Sequence, residues 1–340
     1  MRRIWIPKAG PPEVLEIREE RDPLPPRGQA RIRVEAAGVN FADVMGRMGL
    51  YPDLPPLPVV VGYEVAGRID AIGEGLDPSW LGKDVFAFTR FGGYSDVVCT
   101  PEAQVYGRPD GMSADDGAAL PVNYLTAYQL IVVMGGLRAG ETVLVHSAGG
   151  GVGIAAIQLA KKIGARVIGT ASAGKHDYLR SIGVDACIDY TKEDFEQRTR
   201  ELTHGRGVEL VLDAVGGESF RKSYRALAPT GRVGMFGLSA AASGKRRNLL
   251  RALPAALTTL RTRYGPMSLM NDNKGVFGVN LGHLWDEIDR LAGWMENLIA
   301  GYREGTLKPV IAAKFKFDDA AQAHHYLQDR KNLGKVLLVP

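Results

Sequence analysis

Three consecutive glycines in the middle of the chain stand between an apolar run and an amphipathic run. Val143–Val145 is typical of the end of a buried strand, and a helix is predicted to begin at Val152. Gly150, Gly151 and Gly153 lack the Cβ atoms that would hold a phosphate away from the backbone, and a helix N-terminus favours an anion. The pattern predicts that Gly150, Gly151, Val152 and Gly153 bind a dinucleotide pyrophosphate. A tight strand–helix turn without a ligand is the alternative, and the regular elements that follow favour the dinucleotide.

The end of the next predicted strand indicates which nicotinamide cofactor fits. An acidic residue about 20 positions after the first glycine usually binds the ribose 2′-hydroxyl of NAD. Residues 169–175 contain no acid, and they offer the hydroxyl of Ser172 and the ammonium of Lys175 to a 2′-phosphate. The segment therefore favours NADPH over NADH. Lys175 could instead be an ordinary solvated residue at a helix start.

Metal ligands and hydrolytic groups form no recognisable pattern in the sequence. The chain has only Cys99 and Cys187, whereas a structural zinc lobe needs four ligands. His324 and His325 are adjacent, so on a helix they would point about 100° apart, and both are predicted to be surface residues. The sequence predicts no metal site, and any chemistry would belong to the bound cofactor.

Proline divides the chain into two kinds of sequence. Fourteen of its 19 prolines lie at or before Pro121, and none lies between Val122 and Ala228. Inside the proline-free block short apolar runs alternate with amphipathic runs, which predicts an α/β domain with a doubly wound parallel sheet. In the preceding region Gly, Pro and Asp separate short apolar runs, which predicts a β-rich, barrel-like unit.

Length and composition are typical of a globular protein with two domains. The chain has 340 residues, of which 45% are hydrophobic and 24% charged, and its net charge is +4. Two cysteines exclude a disulfide framework and indicate a reducing compartment. The first residues predict no secretory signal, and the uncharged segment Gly117–Leu137 contains too many polar side chains for a membrane span. We therefore expect a soluble, cytoplasmic protein.

Longer segments carry a family resemblance. They are Ala37–Asp43, Gly49–Pro52, Gly62–Gly67, Leu120–Tyr128, His146–Gly153 and Asn332–Val336. With them the chain resembles the medium-chain dehydrogenase/reductases over essentially its whole length, and more narrowly their zinc-free quinone oxidoreductase branch. Segments 245–249 and 273–282 are most similar to the vesicle amine transport protein subgroup. Zinc-dependent relatives carry Cys where Asn40 stands and His where Tyr63 stands, so the resemblance also implies no catalytic metal.

The resemblance implies a GroES-like, β-rich catalytic domain at 1–122 and 276–340 and a Rossmann NADP-binding domain at 123–275. It also implies which side chains meet the cofactor. The nicotinamide would be approached by Asn40, Thr126, Phe236, Gly237, Phe277 and Val279, and the 2′-phosphate by Ser172, Lys175 and Tyr190. Tyr51, together with Asn40, would be catalytic and face the substrate. Plain structural roles stay open for Phe236, Phe277 and Val279 as core residues and for Tyr190 as a strand-end aromatic.

The implied function is a homodimeric, NADPH-dependent, zinc-free reductase of quinones or α,β-unsaturated carbonyls. The subunits would pair through the apolar strand at 276–281, and no nucleic-acid partner is expected. A second class stays open, an NADPH-binding protein that contacts an anionic membrane surface. Residues 219–271 contain ten basic and no acidic side chains. The segment 244–264 is predicted to be a helix that either keeps its arginines in water or makes a weak contact with anionic lipid.

Overall fold

Two main β-sheets organise the chain. The structure is a computed structural model that describes residues 1–242, 257–258 and 261–340. Its strands are β1 Arg2–Trp5, β2 Glu16–Glu19, β3 Gln29–Val39, β4 Glu64–Ile72, β5 Asp84–Phe88, β6 Val97–Pro101, β7 Val105–Gly107, β8 Thr142–Val145, β9 Arg166–Ala171, β10 Ala186–Asp189, β11 Val208–Asp213, β12 Leu227–Met235, β13 Gly275–Gly278, β14 Ile311–Lys316 and β15 Lys335–Val339. Its helices are α1 Phe41–Arg47, α2 Ala114–Ala119, α3 Pro121–Tyr128, α4 Gly151–Ile163, α5 His176–Ser181, α6 Phe195–Leu202, α7 Glu218–Arg225, α8 Pro266–Asp272, α9 Ile288–Arg303 and α10 Ala320–Gln328.

One sheet is parallel throughout its described strands. Its order is β10–β9–β8–β11–β12–β13, and each neighbouring pair runs in the same direction. Every residue of β11 is buried, as are Val143–Val145 of β8, which requires cover on both faces of the sheet. The predicted doubly wound parallel sheet is therefore confirmed, with the most apolar strands at its centre.

Strand β13 belongs to this parallel sheet. Val276 and Phe277 pair with Val233 and Gly234 of β12. The predicted domain boundary between residues 275 and 276 thus runs through a strand. A four-residue apolar run looks the same in either domain, so the sequence could not assign it, whereas the pairing does. Helix α9 then packs on α3, and the chain reaches the other sheet only at β14.

The other main sheet forms the predicted β-rich unit. Its order is β14–β15–β3–β4–β5–β7, with β6 also paired to β3, and every pair except β14–β15 is antiparallel. Val336 of β15 lies opposite Val39 of β3. This register brings Lys335, the first residue of β15, beside Asn40, the residue that follows β3.

Most residues of the uncharged segment 117–137 are buried. It contains the second half of α2, all of α3 and a π-helical turn at Gln129–Val133. Among the described helices, none has the length and apolar character that crossing a bilayer requires. Most of the basic helix predicted at 244–264 lies outside the described residues.

Candidate functional site

The glycine loop leads from β8 into the N-terminus of α4. Gly150 is the N-cap residue, and no side chain in the described ranges caps the helix. A Cβ on Gly153 would lie 2.5 Å from the carbonyl oxygen of Ser147, so the loop folds this tightly only with glycine there. The first-turn amides of Gly151, Val152 and Gly153 have no intrahelical acceptor, because such groups never do. This end of α4 fits a pyrophosphate.

The same loop packs directly against the returning C-terminal segment. The amide of Gly334 donates to the carbonyl of Gly149 at 2.9 Å, and Gly334 and Gly150 form an isolated β-bridge. A Cβ on Gly151 would lie 2.2 Å from Nδ2 of the buried Asn123 of α3. Gly151 is therefore required by a close approach within the protein as well as by the predicted phosphate contact.

Basic and aromatic side chains gather where a 2′-phosphate is predicted. Ser172 follows β9 and Tyr190 follows β10, which is the neighbouring strand. The guanidinium of Arg330 lies 5.9 Å from the centre of the Tyr190 ring. Arg330 was missed by the sequence reasoning, because 140 residues separate it from Tyr190 and only its position next to the Asn332–Val336 motif could have drawn attention to it.

Lys175 has a structural task in addition to its predicted one. Its ammonium donates to the carbonyl of Arg330 at 2.9 Å and to that of Asn332 at 2.5 Å. Burial and the nearby charge of Arg330 lower the pKa of Lys175. Two of its three N–H donors are thus used to hold the 330–332 segment, and one remains for a phosphate.

The residues predicted for the nicotinamide lie at the carboxyl ends of β12 and β13 and on α3. Phe236 and Gly237 follow β12, and the amide of Val279 donates to the carbonyl of Met235 at 2.9 Å. The ring of Phe277 occupies the space that a Cβ on Gly234 would fill. Thr126 and Val279 are buried, and Val279 belongs to the core cluster against which Phe236 and Phe277 pack. Their core roles are therefore real, and their cofactor roles stay predictions.

Asn40 belongs to a buried ionic cluster. Its amide Nδ2 donates to Oε1 of Glu64 at 3.0 Å, and its Oδ1 accepts from Nζ of Lys335 at 2.7 Å. Lys335 also pairs with Glu64, whose other oxygen accepts from the amide of Val122 at 2.8 Å. Most of the hydrogen-bonding capacity of Asn40 is therefore used within the protein. Within the described ranges, no group of three His, Cys, Asp or Glu could hold a metal ion.

A second buried network is connected to the backbone of Asn40. Asp43 accepts from the amides of Asn40 at 2.8 Å and Gly62 at 3.0 Å and from the hydroxyl of Tyr94 at 3.2 Å. Burial raises the pKa of Asp43 to about 7. The Tyr94 hydroxyl also lies 3.1 Å from Nε2 of His324, which is fully buried. The prediction that His324 is a surface residue is wrong, because α10 turns it toward this network.

A cavity of about 260 Å³ opens between the two sheets. It is lined by Tyr51, Asp53, Tyr63, Arg90, Phe91, Gly282, His283, Trp285 and Asp286. The rings of Tyr51 and Tyr63 meet edge to face, with their centroids 6.4 Å apart, and the ring centroids of Tyr63 and Phe91 are 5.3 Å apart. Burial raises the pKa of Tyr51, and a hydrogen bond from Tyr63 opposes that rise. Tyr51 thus lines this cavity, and its contact with a substrate stays a prediction.

A carboxylate–imidazole pair at the cavity was missed by the sequence reasoning. Oδ2 of Asp53 lies 2.8 Å from Nε2 of His283, and 3.5 Å from Nδ2 of Asn280. Asp53 follows α1 in the β-rich unit, whereas Asn280 and His283 follow β13 in the nucleotide-binding sheet. The two partners are 230 residues apart, so no local motif could have joined them.

Comparison with known proteins agrees with this arrangement. Residues 26–110 match the alcohol dehydrogenase GroES-like domain and residues 151–297 match the zinc-binding dehydrogenase family. The synaptic vesicle membrane protein VAT-1 homolog of Rattus norvegicus is 40% identical over 329 residues, which cover 96% of this chain and 80% of that protein. The chain belongs to the medium-chain dehydrogenase/reductase superfamily.

Within this superfamily the chain lies in the zinc-free quinone oxidoreductase branch. A quinone oxidoreductase of Pseudomonas aeruginosa is 32% identical over 342 residues, covering 100% of this chain and 99% of that one. The crystal structure of Escherichia coli quinone oxidoreductase complexed with NADPH superposes with a TM-score of 0.88 at 30% identity, covering 100% of both chains. The two sheets of this medium-chain dehydrogenase/reductase are thus the predicted GroES-like and Rossmann units.

Proposed function

We propose that this protein is an NADPH-dependent, zinc-free reductase of quinones or α,β-unsaturated carbonyls. The observation that carries the proposal is the cavity between the two sheets, which has aromatic walls and the hydroxyls of Tyr51 and Tyr63 on one side. Flat conjugated electrophiles fit between aromatic rings, and their carbonyl oxygen needs a hydrogen-bond donor. The quinone oxidoreductases named above support the same reaction class.

The cofactor preference follows from the phosphate end of the site. The segment 169–175, which contains the end of β9 and the residues that follow it, offers no carboxylate to a ribose 2′-hydroxyl, while Arg330 and Lys175 supply positive charge nearby. We assign the pyrophosphate to the open end of α4 at Gly150–Gly153 and the 2′-phosphate to Ser172, Lys175, Tyr190 and Arg330. The E. coli relative with NADPH bound supports NADPH as the cofactor.

The chain's own residues supply position and a proton, and NADPH when bound supplies the hydride. Thr126, Phe236, Gly237, Phe277 and Val279, together with Asn40, are the residues we propose to meet the nicotinamide. Aromatic side chains keep water from the reacting carbon. Tyr51 donates a hydrogen bond to the substrate oxygen and gives it a proton as negative charge develops there.

A stopped-flow screen of NADPH oxidation tests the proposal. Benzoquinone, menadione and cyclohexenone are offered as acceptors, and the NADPH absorbance is followed with wild-type protein, with Tyr51→Phe and with Tyr326→Phe. Tyr326 packs on Phe315, and it does not line the cavity. We expect turnover that falls about 100-fold in Tyr51→Phe for the enone and stays unchanged in the control. NADPH oxidation no faster than in buffer with every acceptor would refute the proposed function.

The remaining proposals concern the oligomeric state and the cellular compartment. We propose that two copies pair through β13, which is the edge strand of the described sheet and keeps its residues partly accessible. A reducing, cytoplasmic environment remains a prediction, supported by the two free cysteines Cys99 and Cys187.

A further inference from the structure

Asp53 and His283 are arranged as a general acid–base pair. The Asp53 carboxylate engages Nε2 of the imidazole, and Asn280 contributes a second hydrogen bond to the same oxygen. Asn280 is itself fixed, because its Oδ1 accepts from the amide of Gly282 at 3.0 Å. A carboxylate that holds one ring nitrogen orients the ring and leaves the other nitrogen free to exchange protons.

Both members of this pair lie close to Tyr51, Asp53 through the sequence and His283 through its neighbour Gly282. Asp53 is two residues after Tyr51, and His283 directly follows Gly282. The Tyr51 hydroxyl lies 3.2 Å from the position that a Cβ on Gly282 would occupy, so the hydroxyl packs closely against the backbone next to His283. Tyr51 and His283 therefore share one wall of the cavity.

The two neighbours of Tyr51 differ in their access to water. Tyr63, whose ring meets that of Tyr51 edge to face, is buried and cannot renew a proton from solvent. The His283 side chain is 62% exposed. The other ionisable groups that line the cavity are Asp53 and Tyr51 from the loop after α1, Tyr63 just before β4, Arg90 from the loop after β5, and Asp286 from the turn that carries His283.

We propose that the Asp53–His283 pair renews the proton of Tyr51, which deepens the proposed function and rests on it. The substrate gains a hydride from NADPH at carbon and the Tyr51 proton at oxygen. The resulting phenolate takes the proton on Nδ1 of His283, and the neutral imidazole takes a proton from water. Each turnover thus consumes one NADPH and one solvent proton, and Asp53 acts as a positioning residue for His283.

Chemical rescue distinguishes proton supply from a purely structural contact. Steady-state turnover of cyclohexenone is measured for wild type and for His283→Ala, with and without added imidazole, and NADPH binding is titrated by fluorescence. We expect kcat to fall about 100-fold in His283→Ala with NADPH affinity unchanged. Imidazole should restore turnover in proportion to its protonated concentration. Asp53→Asn should lower kcat less, because the imidazole remains present.

A matched pair elsewhere serves as the control. His325 and Glu13 form a similar contact, 2.6 Å long, away from the cavity, so His325→Ala should leave kcat unchanged. An active wild type whose His283→Ala variant retains full kcat, or loses NADPH affinity without rescue by imidazole, would overturn the proton-supply proposal. A wild type that reduces none of the acceptors would instead refute the proposed function.

Discussion

The ammonium of Lys335 lies 2.7 Å from the amide oxygen of Asn40, and this contact joins the start of the last strand to the end of β3. Glu64 completes the cluster and compensates the buried positive charge. The side chains of Lys335 and Glu64 are 3% and 0% exposed. Any change that removes one partner leaves the other charge buried without compensation.

The first prediction concerns this pair. We expect Lys335→Met to lower the free energy of unfolding by roughly 3–5 kcal/mol, because Glu64 stays buried and loses its cation. Urea denaturation followed by circular dichroism measures the loss. Lys314→Met is the matched control, since Lys314 pairs with Asp115 at 2.9 Å on the surface and should cost about 1 kcal/mol or less. A loss in Lys335→Met no larger than in this control would contradict the prediction.

The second prediction is a pH dependence of stability set by Asp43. Burial raises the pKa of its folded-state carboxyl to about 7, whereas that of an unfolded Asp is about 3.9. The folded protein therefore binds more protons between these values, and stability must fall as the pH rises through this window. Urea denaturation from pH 5 to pH 8 should show a contribution of up to about 1.4 kcal/mol per pH unit.

Two variants separate Asp43 from other groups in this experiment. Asp43→Asn should flatten the decline, because the amide does not titrate. Asp318→Asn should leave the slope as in wild type, since Asp318 is exposed and pairs with Arg2 on the surface. A slope that persists in Asp43→Asn would assign the pH dependence to another residue.

The sheet and the cofactor loop could be predicted from the sequence because both are encoded locally. The run Val143–Val145, the glycines and the following helix are contiguous in the sequence. The Asp53–His283 pair and the position of His324 could not be predicted, because they depend on how distant segments meet. The charge and shape of the neighbouring segments decide these contacts, and neither property produces a recognisable pattern in the sequence.

Arg330 illustrates the same limit within the cofactor site. The missing acid after β9 predicts a preference for NADPH, and this property belongs to one segment. The cation next to Tyr190 comes from a different part of the chain, beyond α10, and its backbone is held by Lys175. The sequence pattern predicts that Lys175 meets the phosphate, whereas its hydrogen bonds to the carbonyls of Arg330 and Asn332 appear only in the structure.

The third prediction tests that separation. We expect Arg330→Gln to weaken NADPH binding by roughly 1.5–3 kcal/mol and to leave NADH binding unchanged, since only NADPH carries the 2′-phosphate. Lys175→Ala should weaken both cofactors, more strongly NADPH, because the loss of two hydrogen bonds also frees the 330–332 segment beside the glycine loop. Fluorescence titrations with both cofactors measure these effects. Arg180→Gln on α5, paired with Asp177, is the control, and equal weakening of NADPH and NADH in Arg330→Gln would count against the assignment.

The last prediction concerns the edge of the nucleotide-binding sheet. Helix α8 leads directly into β13 and carries Met267 and Met270, which are 65% and 61% exposed. Among the described strands, nothing pairs with the outer edge of β13, and apolar side chains beside such an edge are typical of a subunit contact. We expect a dimer by light scattering at micromolar concentration, and a monomer for the double variant Met267→Lys/Met270→Lys, because opposed copies would bring like charges together. Both side chains already face solvent, so the fold should tolerate lysine. Leu24→Lys, at a position 86% exposed in the β-rich unit, should remain dimeric. A monomeric wild type, or a double variant that stays dimeric, would show that this edge is not the interface.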